Sequence, residues 1–192
     1  MLHRLRAGTA DEHQDVERTL DLLDPELDRT RLAWVLGRMH GFWVAAEAGL
    51  DAWAAHHPAD ADDVSWPRRR RAALFAADLR ALGGNGTAEP PKLPAIADTD
   101  QALGRLYVLE GSTLGGTFID RHLTSLPHLS DVGIRAFSPY GGETGAMWAA
   151  FRRATRDRVA AGGDADAMVR SARVTFGALA SWCRAAAPAP TT

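Results

Sequence analysis

Among the 192 residues, His13 is the first whose surroundings suggest chemistry. Val16, Glu17 and Leu20 follow it at i+3, i+4 and i+7, so on a helix its imidazole projects beside an apolar stripe with a carboxylate one turn away. Such a ring can ligate a metal through one nitrogen, or sit hydrogen-bonded at the edge of a core. His40 and His122 pose the same choice. The second unusual feature is the stretch LGRLYVLEGSTLGGTFIDRHL, residues 103–123, where Gly104, Gly111, Gly115 and Gly116 interrupt a helical pattern. Each helical glycine costs about 1 kcal/mol relative to alanine, so something must offset the four. Gly104, Gly111 and Gly115 fall at i, i+7 and i+11 on one face, where bare backbone lets a flat object approach, and the Gly115-Gly116 pair invites a kink. The Gly111 and Gly115 spacing suits close contact between two helices equally well. Spacing alone leaves both readings open.

Other residues carry weaker signals. His40, Glu47 and Asp51 share a helical face at i, i+7 and i+11, which suits either a contribution to a metal site or a solvated boundary beside a leucine-rich stripe. No Glu-x-x-His pair occurs, which weakens the dimetal option. The run Arg68 to Arg71 reads as an anion site or a solvated face, and Arg152 and Arg153 are further arginines on an expected helix. Trp34, Trp43, Trp53, Trp66, Trp148 and Trp182 are spread along the chain as core packing requires, and Cys183 lacks the neighbours of a catalytic thiol.

The elements that must position these residues are helical. Apolar residues recur at helical and not strand spacing, and the chain holds 36 alanines, the best helix formers. A first helix is expected after Thr9, where Thr9 and Glu12 form a T-x-x-E capping box, running to about Leu23. A second starts near Asp28 and buries Leu32, Val35, Leu36, Met39, Trp43, Ala46, Leu50 and Trp53, ending before Pro58. A third begins near Ser65 with Trp66-Pro67 and ends at Gly83-Gly84, burying Leu74, Phe75, Leu79 and Leu82. Residues 83–97 read as a surface connection within the domain. Further helices are expected over about 99–124, 144–161 and 164–186, the last capped by Asp164.

This length suits one compact all-α domain over residues 1–187, with residues 188–192 expected as a disordered tail. The balance of 22 basic and 24 acidic residues, a formal charge of −2, argues against a basic nucleic-acid-binding surface. A single cysteine excludes an internal disulfide framework and a multi-cysteine metal site. No apolar run approaches the roughly 20 residues of a membrane span, and the charged start is unlike a secretory signal. The cytoplasm is the expected compartment.

Two segments, taken together, resemble one family. The stretch Arg6 to Glu17 resembles the proximal-helix segment of heme oxygenases, and Tyr107-Val-Leu-Glu-Gly111-Ser-Thr-Leu-Gly115-Gly116 resembles their glycine-rich distal helix, most closely in the bacterial branch associated with bacteriophytochromes. About 98 residues separate His13 from Gly111, as in that family, and the similarity extends over most of the chain. The resemblance implies a heme-oxygenase-like helical bundle with heme between the first helix and a kinked glycine-rich helix. It makes His13 the proximal iron ligand and Glu17 and Arg6 its neighbours, Arg6 at a position used for a heme propionate. Tyr107, Gly111 and Gly115 then contact the heme, and Gly111, Ser112, Gly115 and Gly116 shape the oxygen side.

The implied reaction opens heme to biliverdin with release of carbon monoxide and ferrous iron. It uses dioxygen and electrons from an external reductase or ferredoxin, and a bacteriophytochrome is the expected recipient of the product. Ser112 departs from the pattern, since many family members place aspartate there. Arg105 or a water chain is then the expected substitute in proton delivery. Two alternatives are a heme carrier or sensor without turnover, and a non-heme enzyme of the same fold.

Overall fold

The computed structural model describes residues 1–84 and 89–185, and among them helices are the only regular secondary structure. The expected disordered tail lies outside the described residues. α1 (Leu2–Gly8) and α2 (Ala10–Leu20) meet at Thr9. The expected capping box is not made. Instead the Thr9 hydroxyl donates to the Leu5 carbonyl oxygen one turn back, at 2.8 Å, and the Thr9 carbonyl accepts from His13 N–H at 2.9 Å. Thr9 therefore joins two helices, of which the sequence pattern showed only the second. Asp21 ends α2 in the left-handed region (φ 46°), earlier than the expected Leu23.

α3 (Arg29–His56) begins at the Asp28 carboxylate, which accepts from Arg31 N–H at 2.7 Å, and it buries all eight stripe residues expected of it. Pro58 does not only stop α3. It opens the short α4 (Pro58–Asp63), where its missing N–H costs nothing. The third expected helix is divided into a 3-10 turn over Trp66–Arg69 and α5 (Ala72–Ala81). The cause is Glu47 on α3. Its Oε1 accepts the backbone N–H groups of Arg71 at 2.6 Å and Ala72 at 2.8 Å, so a carboxylate from another helix caps the start of α5 and Arg70 turns extended.

α6 (Thr99–Ser125) runs as an uninterrupted helix through all four glycines, with Asp98 accepting from Gln101 N–H at its start. α7 (Thr144–Ala160) and α8 (Ala165–Arg184) complete the bundle, and Asp164 caps α8 by accepting from Asp166 and Ala167. The broadest pairing is α6 on α8, followed by α3 on α5 and α2 on α8. An aromatic cluster of Phe42, Trp43, Phe75 and Phe137 fills the core between α3, α5 and the segment after α6. Among the described residues no helix is long and apolar enough to cross a membrane, and no group of three or more His, Cys, Asp or Glu could hold a metal ion.

Candidate functional site

The glycines of α6 divide by what stands opposite them. At Gly104 an added Cβ would run into the Met168 carbonyl oxygen and lie 2.7 Å from Ser171 Cβ, so this glycine lets α6 and α8 approach closely. At Gly116 it would collide with the Phe137 carbonyl oxygen, which seats the segment after α6 against the helix. At Gly111 and Gly115 nothing lies within 4 Å. The three-glycine face expected from the sequence is therefore two features: a packing contact at Gly104, and open bare backbone at Gly111 and Gly115. Leu114 and Phe118 flank that opening with unusual exposure, Phe118 at 66%, so the surface beside it is apolar and uncovered.

His13 projects from α2 with its side chain 52% exposed and Nδ1 3.8 Å from Glu17 Oε1. At that distance Glu17 is a neighbouring carboxylate beyond hydrogen-bond length, and Nε2 is left for a metal. Phe176 of α8 lies edge-on to His13, centroids 5.3 Å apart, and edge-on to Tyr107 of α6 at 6.4 Å. One phenyl ring thus sits between α2 and α6. Tyr107 lies one turn before Gly111 on the same face of α6, and its phenol is pushed above the ordinary tyrosine pKa by burial, against the opposing influence of nearby Thr9. Arg6, on α1, stands near enough for its charge to pull the Tyr107 phenol the other way. Arg152 and Arg153 are exposed on α7.

The Ser112 hydroxyl donates to the Leu109 carbonyl oxygen at 2.7 Å and accepts from Arg71 Nη2 at 3.0 Å. Arg105, the expected substitute, points elsewhere: its Nη2 donates to the Pro94 carbonyl oxygen at 2.6 Å. The residue beside Ser112 is Arg71, wholly buried, which also donates to the Leu109 and Ala136 carbonyl oxygens and lies over the Trp43 ring. Burial lowers its pKa from the ordinary arginine value, while Glu110, Tyr140 and Glu47 pull it upward. Next to it, buried Arg69 pairs with Glu110, whose other oxygen accepts from the Tyr140 hydroxyl at 2.8 Å. Burial, then the Glu110 charge, push the Tyr140 phenol well up.

The arginine run thus divides into two inward and two outward residues. Arg69 and Arg71 turn inward beneath α6, whereas Arg68 and Arg70 make exposed ion pairs with Glu143 and Asp51. The signal for this was the Trp66-Pro67 turn, which breaks helical periodicity and lets alternate residues face opposite ways. The His40, Glu47 and Asp51 face is resolved as well. Glu47 is buried and caps α5, and Asp51 accepts from Trp66 Nε1 at 2.7 Å.

A family model described as heme oxygenase matches residues 1–185. The chain belongs to the heme oxygenase family. A curated heme oxygenase of Xanthomonas campestris pv. campestris is 35% identical over 97 residues, which cover 50% of this chain and 55% of that protein. By that alignment the chain spans about half the length of the curated relative it matches. Among solved structures, the NO- and CO-bound heme oxygenase of Neisseria meningitidis superposes with a TM-score of 0.76 at 24% identity, covering 95% of this chain and 89% of that one. Heme oxygenase-1 from the cyanobacterium Synechocystis, solved in complex with heme, gives 0.72 at 17% identity, with 95% and 90% covered. The all-helical single-domain fold is that of these structures.

Proposed function

We propose that this chain binds heme between α2 and α6 and opens it oxidatively to biliverdin, with release of carbon monoxide and ferrous iron. Dioxygen and electrons from a separate reductase or ferredoxin are consumed in the cytoplasm. The observation that carries this reading is the pairing of an exposed imidazole at His13 with open, side-chain-free backbone at Gly111 and Gly115. A flat macrocycle needs that combination: a ligand on one side and main chain alone on the other. Bound heme supplies the iron and the ring that is oxidised.

The chain's own residues bind, orient and deliver protons. His13 Nε2 would be the ligand atom, with the Glu17 carboxylate on its Nδ1 side. Gly111 and Gly115 set the height of the opposite wall, and Leu114 and Phe118 supply apolar surface beside it. Arg6, Arg152 and Arg153 offer guanidinium groups suited to propionate carboxylates. Ser112 has its proton committed to Leu109 and one lone pair to Arg71, leaving a second lone pair to hold a water molecule near the open face. Arg71 fixes that hydroxyl in place of the carboxylate found in many relatives. The resemblance of Tyr107–Gly116 to the bacteriophytochrome-associated branch supports transfer of biliverdin to such a protein.

Aerobic turnover tests the proposal. Heme-loaded protein supplied with a reductant and air is expected to lose its Soret band and form a green product that co-elutes with biliverdin. A Soret band that persists without green product overturns it in favour of a carrier or sensor.

A further inference from the structure

Behind its open face, α6 is met from two sides. At about 100° per residue, Thr113 lies roughly 160° round the helix from Gly111 and Gly115, while Glu110 and Gly116 fall roughly 120° to either side of that face. Thr113 and Glu110 are buried, and both flanks are met by the segment that follows α6. Tyr140 donates its hydroxyl to Glu110 Oε1 at 2.8 Å. Phe137 presents its carbonyl group to Gly116, where an added Cβ would lie 2.6 Å from the carbonyl carbon. That contact is backbone on backbone, with no side chain between to absorb a shift.

Residues 136–140 are in turn held from α5, which packs broadly on α3. Asp78 of α5 is buried, and its Oδ2 accepts Ala136 N–H at 2.8 Å. Arg71, at the start of α5, donates to the carbonyl oxygen of the same residue at 3.2 Å, and the rings of Phe75 and Phe137 meet edge-on with centroids 5.7 Å apart. Both backbone groups of Ala136 are thus satisfied by buried charged side chains. The reaction proposed above gives Asp78 no chemical part, since its partner is the segment behind α6.

We propose that Asp78 is a positioning residue: it fixes residues 136–140 as a stop behind α6, and through the Phe137 carbonyl and Tyr140 it sets how far the Gly111 and Gly115 backbone stands from His13. This rests on heme binding between α2 and α6, and it puts control of that spacing outside the cleft. Without Asp78 the segment loses its tether at Ala136 N–H, and the glycine stretch of α6, weak in helix propensity, loses its support.

Amide hydrogen exchange of the full, heme-free chain reads the stop directly. Asp78→Ala should speed exchange at residues 110–117 by about tenfold or more, while residues 165–184 of α8 change by less than about threefold. Asp78→Asn keeps an oxygen for Ala136 N–H and should restore the parent's exchange. Tyr140→Phe removes only the hydroxyl at the far end; it should also speed residues 110–117, and it carries the test if Asp78→Ala does not fold. In the heme-loaded, CO-bound ferrous protein the C–O stretching band of Asp78→Ala should shift from the parent's, and that of Asp78→Asn should coincide with it. Unchanged exchange at residues 110–117 in a folded variant, exchange raised equally throughout the chain, or a C–O band in Asp78→Ala identical to the parent's overturns the proposal. A parent chain that takes up no heme overturns the proposed function instead, and the exchange result then decides the stop by itself.

Discussion

At the scale of single residues, Arg71 joins the fold to the proposed chemistry. It satisfies the carbonyl oxygens of Leu109 and Ala136, steadies Ser112 and lies over Trp43, all from a fully buried position. Replacing it with methionine removes the donors and keeps most of the volume, so the Leu109 and Ala136 carbonyl oxygens lose a donor, and Glu47 and Glu110 lose a nearby positive charge while keeping their own hydrogen bonds. Arg71→Met is expected to lower stability by about 2–4 kcal/mol, and urea unfolding with an unchanged midpoint would contradict this. His13 and Glu17 were legible in the sequence because i, i+4 spacing brings them together on any helix. Arg71 was not, because its partners lie about 38 to 65 residues away along the chain, and no local pattern records such distances.

At the scale of helices, the glycines of α6 make the sharpest separation. Gly104→Ala places a methyl group on the Met168 carbonyl oxygen, which belongs to the α8 backbone and has little freedom to yield. The expected cost is about 1–3 kcal/mol from overpacking, set against about 1 kcal/mol gained in helix propensity. Gly111→Ala meets no atom within 4 Å, so the unliganded chain should be as stable as before or gain up to about 1 kcal/mol, while heme affinity falls. Thermal unfolding and heme titration of the two variants check this, and a destabilised Gly111→Ala with intact heme binding would run against it.

The long helices were legible by their periodic apolar residues, and α3 and α8 also by an aspartate at the start, Asp28 and Asp164, whereas the Asp98 cap of α6 is shown by the structure. What escaped was α1, α4 and the break before α5. Thr9 uses its hydroxyl within the preceding turn, and the cap of α5 comes from Glu47 on another helix. Neither choice can be read from nearby residues.

For the molecule as a whole, three helices converge on Asp100. Its carboxylate accepts Arg158 Nε at 2.8 Å and Nη2 at 3.1 Å from α7, and the backbone N–H of Asp164 at 3.0 Å ahead of α8. The Arg158 hydrogen bonds hold its pKa below the ordinary aspartate value. A depressed folded pKa adds stability that is present above the unfolded value of about 4 and is lost as pH falls through the folded one. Asp100→Asn should therefore be less stable than the parent at pH 7, with the difference shrinking below about pH 4. Chemical unfolding across that range checks it, and a difference independent of pH would show that the charge is not the cause.

The bundle places α2 and α6 on either side of Phe176, and the account rests on heme entering there with His13 as its ligand. Anaerobic titration of heme into the parent chain and into His13→Ala tests this most directly. The parent should show the absorption and resonance Raman signature of a single histidine ligand. The variant should lose it and regain it when free imidazole is added. A variant that keeps the parent's histidine signature without imidazole contradicts the account.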